Sequence, residues 1–283
     1  MRRDVLDQSH PLAAFIWFAV MLVLTVVLFH PLALLLSLAG ALAYGIRLHG
    51  RRAVKYFFVL PLPVAAVMAA VNVLFVHRGV TVLAYLGSSP LTKEALVYGC
   101  CAGLMTAAVL MWFYCITLVM TSDKFTDLFG RVMPSASLML TMTMRFVPHF
   151  AGQARRIREA RRAMGCGDGD GVRGGLKTIS VMTTWALENS IETADSMKAR
   201  GYGRSGRTSY SIFRRQGRDI ALLCATAVCA AAACLGRIKI VCYPLISLSG
   251  STPGLTAFGI LCAMPAALDL WEELRWRYLQ SNI

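Results

Sequence analysis

The chain has 283 residues, 57% of them hydrophobic and 16% charged, with a formal net charge of +14. Soluble domains carry about 25% charged residues, so an ordinary globular domain is excluded and a bilayer protein is indicated. Nine cysteines with no C-x-x-C spacing argue against a zinc site or a disulfide framework, and the cationic excess fits positive-inside loops better than a nucleic-acid binder.

The N-terminus, MRRDVLDQSHPLAAF, is basic and runs into an apolar stretch without an A-x-A cleavage site, as expected of a retained first span. A helical span needs roughly 20 apolar residues, with about 17 as a lower limit. Candidate spans are Ala13–Phe29, Leu32–Ile46, Tyr56–Val76, Leu96–Val119, Ile220–Gly236 and Leu255–Leu270. The second is short and reads as a partner of the first in a tight hairpin turning at His30-Pro31. Ile238–Leu248 is apolar but brief and holds Pro244, so an interfacial segment is expected there. With the N-terminus inside, 25 of the 29 Lys and Arg fall on the inner side, leaving Arg78, Lys93, Arg237 and Lys239 outside. Both termini and the long insertion between the fourth and fifth spans are therefore expected in the cytoplasm.

The expected fold is an all-α polytopic membrane protein with about six transmembrane helices and a cytoplasmic insertion. Its domains are residues 1–120 (four spans), 121–218 (the insertion) and 219–283 (the last spans and a cytoplasmic tail). The insertion opens on Thr121-Ser122-Asp123, a helix-capping cluster, with Phe125, Leu128 and Phe129 on one face of a short interfacial helix that ends at Gly130 and Pro134. Ser135 to Phe150 is apolar. From Gln153 to Met164 the chain turns basic, and Arg155, Arg158 and Arg162 share a helical face.

Gly165 ends that helix, and C-G-D-G-D-G-V-R-G-G follows, read as a flexible joint. Asp168 and Asp170 resemble the start of a calcium loop, but the twelfth position is Ile179 and not an acid. G-G-L-K-T resembles a phosphate loop, but Leu176 breaks the required G-K-[ST]. A second helix or helix pair is expected from Leu176 to Arg200, with Gly201 at the C′ position in the left-handed region. Arg200 in its last turn has two readings: a cap on the negative end of the helix dipole, or a guanidinium projecting from the tip toward a partner.

The helix ends A-R-R-A-M-G (160–165) and K-A-R-G-Y-G (198–203) resemble the transmembrane T component of energy-coupling factor (ECF) transporters, the family of prokaryotic cobalt and vitamin uptake permeases. LDQSHPLAAFIWF, NVLFVHRGVTVLAYLGSSPLTKEAL, TSDKFTDLF, MRFVPHF and the tail PAALDLWEELRWRYLQSNI extend the likeness over nearly the whole chain. The resemblance implies a multi-pass subunit of the prokaryotic plasma membrane. Such a subunit joins two ATP-binding cassette ATPase subunits to a separate substrate-binding membrane S component, and ATP is hydrolysed in the partners. In that family two coupling helices end in Ala-Arg-Gly, and their arginines dock into grooves of the ATPases. Ala199, Arg200 and Gly201 match in full. At the first tip Ala163 and Gly165 match, but Met164 stands where arginine is expected. There Arg161 or Arg162 would take over the charged contact, or one ATPase would be held by apolar packing.

No catalytic residue, cofactor site or metal-ligand set is read from the sequence, and no nucleic-acid partner is expected. Asn72, near the end of the third span, is expected to make an interhelical hydrogen bond or a contact to the substrate subunit. Two other classes make different demands on the sequence. An integral membrane enzyme acting on lipid headgroups should show convergent carboxylates or a nucleophile near the interface. A secondary transporter should show internal repeats or broken spans around a midplane site. Neither pattern is evident.

Overall fold

The computed structural model describes residue 6 and residues 9–76, 81–86, 89–130, 133–165, 171–204, 217–236, 239–241, 247–249 and 251–281. Contacts within the chain define two compact units, residues 1–125 with 213–283, and residues 126–212.

The first unit is a bundle of apolar helices. Helix α1 (Pro11–Val27) starts with Pro11 at its first position, where the missing N–H costs nothing, and the ring Nδ1 of His10 accepts from the Leu12 N–H at 3.2 Å. Helix α2 (Pro31–His49) also begins on proline and ends at Gly50, with φ +58. Next come α3 (Arg51–Val59) and α4 (Pro61–Phe75), interrupted at Leu60 beside Pro61. Helix α5 (Lys93–Val119) follows, then a short α6 (Ser122–Gly130) at the junction with the second unit. After the second unit the chain re-enters the bundle as α9 (Gly217–Leu235) and ends in α10 (Thr252–Ser281).

Among the described residues, five helices are long and apolar enough to cross a membrane: Pro31–His49, Arg51–Phe75, Lys93–Val119, Gly217–Leu235 and Thr252–Trp271. Pro11–Val27 is a shorter apolar helix of 17 residues. At 1.5 Å per residue it is about 26 Å long, near the lower limit for a span.

Two short antiparallel hairpins connect helices. Strands β1 (Val82–Leu86) and β2 (Ser89–Thr92) lie between α4 and α5, with Val82 opposite Thr92. Strands β3 (Lys239–Val241) and β4 (Ser247–Ser249) lie between α9 and α10, with Lys239 opposite Ser249. Within the segment Ile238–Leu248, expected to be interfacial, the described residues 239–241 and 247–248 belong to these paired strands, which satisfy their backbone groups locally, and the others lie outside the described residues. Glu94, in the first turn of α5, fastens the base of the first hairpin: its carboxylate accepts from Thr81 Oγ1 at 2.8 Å and from the Thr81 N–H at 3.3 Å.

The core of the bundle is aromatic and small-residue packing. Trp17, Phe18 and Trp112 meet edge to face, with Tyr44 beside Phe18. A polar knot sits within this apolar packing. Trp112 Nε1 donates to Ser37 Oγ at 3.0 Å, which is also 2.9 Å from Thr25 Oγ1. Such bonds across helices are worth about 0.6 kcal/mol on average in membranes, so they specify register more than they add stability. Helices α4 and α5 approach closely because α5 carries Gly99 and Gly103 in a G-x-x-x-G spacing. A Cβ on Gly103 would come within 2.6 Å of the Ala65 carbonyl oxygen, and one on Gly99 within 3.0 Å of that of Ala69.

Two polar contacts mark where the chain leaves and rejoins the bundle. Lys124 Nζ donates to the Val119 carbonyl at 3.0 Å, placing a buried ammonium at the negative end of α5. The buried Asp219 carboxylate, in the first turn of α9, accepts from the His10 backbone N–H at 3.2 Å, so the start of α9 is pinned to the start of α1.

The second unit is built on two long helices, α7 (Pro134–Ala163) and α8 (Gly171–Ala199). The apolar stretch from Ser135 and the basic stretch to Arg162 form one continuous helix. Gly171, Gly174 and Gly175 belong to α8, so the glycine-rich joint expected over 166–175 is helical in its second half. Residues 166–170 lie outside the described residues.

Candidate functional site: two helix tips

Each long helix of the second unit ends on a glycine that terminates it in the same way. At the end of α8, Arg200 is the last residue before the turn and Gly201 takes φ +84. The Gly201 N–H donates to the Lys198 carbonyl at 2.9 Å, and the Tyr202 N–H reaches back to Met197 at 2.9 Å. This is the full Schellman arrangement, in which a left-handed C′ residue satisfies carbonyls that the helix leaves open. Only glycine adopts that φ without cost, hence Gly201. Arg200 is exposed, and its guanidinium makes no hydrogen bond or ion pair among the described residues. Beside it, Lys198 and Asp195 form a solvent-exposed pair at 4.0 Å.

At the end of α7 the described backbone, which extends to Gly165, repeats the left-handed glycine and its bond to the C2 carbonyl. Met164 caps the helix, and its N–H donates to Ala160 at 3.1 Å. Gly165 takes φ +70, and its N–H donates to Arg162 at 3.1 Å. Ala163-Met164-Gly165 therefore stands where Ala199-Arg200-Gly201 stands on α8. The difference is chemical. Met164 offers a thioether that is 70% exposed, where Arg200 offers a guanidinium.

The arginines expected to replace the missing charge part company. Arg162 is exposed. Arg161 turns toward α8: its Nη1 donates to the Gly174 carbonyl at 2.7 Å and to Thr178 Oγ1 at 3.0 Å. Further along the pair, Trp185 packs on His149 at 5.3 Å and edge-on against Phe150 at 5.6 Å. Residue 161 near 174–178 and 150 near 185 define an antiparallel pair. In that arrangement the two tips lie at opposite ends of α8. From Gly174, beside the α7 tip, to Arg200 is 26 residues, or about 40 Å at 1.5 Å per residue.

Residues 2–210 match the family model described as CbiQ, cobalt transport protein. The chain belongs to the CbiQ family. It is also similar to two named ECF transporter proteins. One is the energy-coupling factor transporter transmembrane protein EcfT 1 of Listeria monocytogenes serotype 1/2a (strain 08-5578), 26% identical over 169 residues, which are 54% of this chain and 63% of the relative. The other is an EcfT protein of Lacticaseibacillus paracasei (strain ATCC 334), 36% identical over 89 residues, which are 29% of this chain and 34% of the relative. The chain spans slightly less than two thirds of the length of the Listeria monocytogenes relative, and of an EcfT protein of Listeria innocua serovar 6a that is 25% identical over 170 residues. That family is described by cobalt transport, and the five long apolar helices of this chain fit a multi-pass membrane protein.

Asn72 lies on α4 with its Cβ position against Gly99. Its buried Oδ1 accepts no hydrogen bond among the described residues, so the interhelical bond expected from the sequence is not formed there. Sequence reasoning also passed over Gly174 and Thr178. No local motif marks them, because their role depends on Arg161 arriving from another helix. The Gly99/Gly103 pair did carry a readable signal, the G-x-x-x-G spacing of close helix packing.

Proposed function

We propose that this protein is the scaffold and coupling subunit of an ATP-driven ECF-type importer of a vitamin or a transition-metal ion. In this reading the second unit lies in the cytoplasm and recruits two ATP-binding cassette ATPase subunits, one at each helix tip. The bundle holds a small substrate-binding S component in the membrane. The observation that carries it is the pair of glycine-capped tips about 40 Å apart on one antiparallel helix pair. Two separated, outward-pointing ends suit two copies of a soluble partner better than one enclosed site. Arg200 is the main anchor at one tip: a guanidinium beyond a capped helix end can donate a planar pair of hydrogen bonds to carboxylates or carbonyls in a partner groove. At the other tip Met164 is gripped by apolar packing, with Arg162 beside it. Ala199 and Ala163 are small enough to let each tip sit deep.

The bundle supplies the second partner surface. Along α4, Val67, Val71 and Phe75 are exposed on the outside of the bundle, and Asn72 lies on the same helix as a candidate polar contact to the substrate subunit. The distribution of Lys and Arg supports a cytoplasmic location for both termini in this reading. The test is co-purification of the membrane-inserted chain with its ATPase subunits. Arg200→Glu is expected to abolish recruitment while insertion is unaffected, and recruitment equal to wild type would overturn the proposal. A lipid-modifying enzyme would instead turn over a lipid with no ATPase present.

A further inference from the structure

The sequence from Gly165 to Gly175, which joins α7 to α8, is rich in glycine and by itself would leave the two helices free to pivot. Yet the two helices are fastened at two points. One is the aromatic contact of Trp185 with His149 and Phe150. The other is a closed polar triangle: Arg161 Nη1 donates to the Gly174 carbonyl and to Thr178 Oγ1, and Thr178 Oγ1 donates to the same Gly174 carbonyl at 2.9 Å. Thr178 is buried at 6% exposure, while its neighbour Ile179 is 61% exposed, so the hydroxyl faces α7 and not solvent. Along α8 the two points are seven residues apart, about 10 Å. One contact allows rotation about itself, whereas two at that spacing hold the crossing angle.

We propose that Arg161 is a positioning residue, not a docking residue: it latches the end of α7 to the first turns of α8 and makes the two tips one rigid body. Gly174 and Gly175 weaken the start of α8, since glycine loses more backbone entropy than alanine on entering a helix interior. The latch offsets this where the tip is anchored. Its consequence for coupling rests on the proposed function, because a rigid pair transmits the motion of one ATPase to the other tip. Its geometry does not.

The test compares Arg161→Met, Thr178→Val and the double variant in the purified full-length chain, by hydrogen exchange of the amides from Gly174 to Met182. Thr178→Val keeps the side-chain shape. Each single change should speed exchange by about tenfold, the worth of one or two hydrogen bonds, and the double variant should add little to the larger single effect. Arg161→Lys should restore part of the protection. ATPase co-purification should stay within about twofold of wild type in Thr178→Val, whose buried side chain faces α7 and lies away from both glycine caps. Unchanged exchange in both single variants would overturn the latch, as would loss of recruitment in Arg161→Met with Thr178→Val silent. That last pattern would return Arg161 to the docking surface. If Arg200→Glu failed to weaken recruitment, the proposed function would fall while the exchange data still decided the latch.

Discussion

The two tips share a backbone and differ by one side chain. Ala163-Met164-Gly165 and Ala199-Arg200-Gly201 both end a long helix on a left-handed glycine, with φ +70 and +84, and both hold the cap residue clear of the protein. A cap of this kind is a local device, requiring only a glycine after the last helical turn. What the tip presents is independent of it. Under the proposed function, one docking end would carry a guanidinium and the other a thioether on a similar backbone, so the two ends would hold their partners by different chemistry.

Five substitutions break or sharpen this comparison. The largest effect is expected from Arg200→Glu. Removing a desolvated charged contact and placing a like charge against the same groups costs about 2–5 kcal/mol, a loss of at least ~30-fold in ATPase affinity by titration. Next, Gly103→Ala acts in the first unit, whereas both tips belong to the second. It drives a methyl into the Ala65 carbonyl, and overpacking of this kind costs about 1–3 kcal/mol. The expected outcome is a lower thermal midpoint in detergent with the affinity for ATPase subunits unchanged, which separates bundle stability from docking. Gly201→Val forces a branched side chain into the left-handed region at roughly 1–2 kcal/mol. It should weaken recruitment by about tenfold through misdirection of Arg200, whereas Gly165→Val should weaken it less. The smallest effect belongs to Met164→Ala. Loss of one partly buried thioether is worth about 1 kcal/mol or less, a fewfold change in affinity. A loss as large as that of Arg200→Glu would show that the two tips contribute equally after all.

Much of this was legible in the sequence, and the reason differs by residue. The spans appear because apolar runs must match the hydrocarbon thickness, and Pro11, Pro31 and Gly50 mark helix ends through their own backbone preferences. Gly201 was legible as a C′ residue for the same local reason. The hairpins at 82–92 and 239–249 were not, because short strands between helices carry too little periodicity to be told from a loop. Nor was the helical start of α8 at Gly171, where glycine propensity argues for a joint and packing against α7 overrides it.

Arg161, Arg162 and Met164 show the boundary most clearly. Adjacent in sequence, they were interchangeable candidates for one contact; in the folded chain Arg161 reaches Gly174 and Thr178 while Arg162 and Met164 are exposed. Helical rotation of about 100° per residue sends neighbours to different faces, but which face meets α8 depends on the crossing of two helices.

By itself the sequence determined that this is a helical membrane protein with a basic insertion, and where its two glycine-capped tips lie. Those properties follow from hydrophobic length and from backbone preferences within one turn of chain. Only the tertiary structure decided that the tips lie at opposite ends of an antiparallel pair, that Arg161 faces inward, and that Asn72 Oδ1 accepts no interhelical bond. Each of these depends on distances between residues that chain order does not encode.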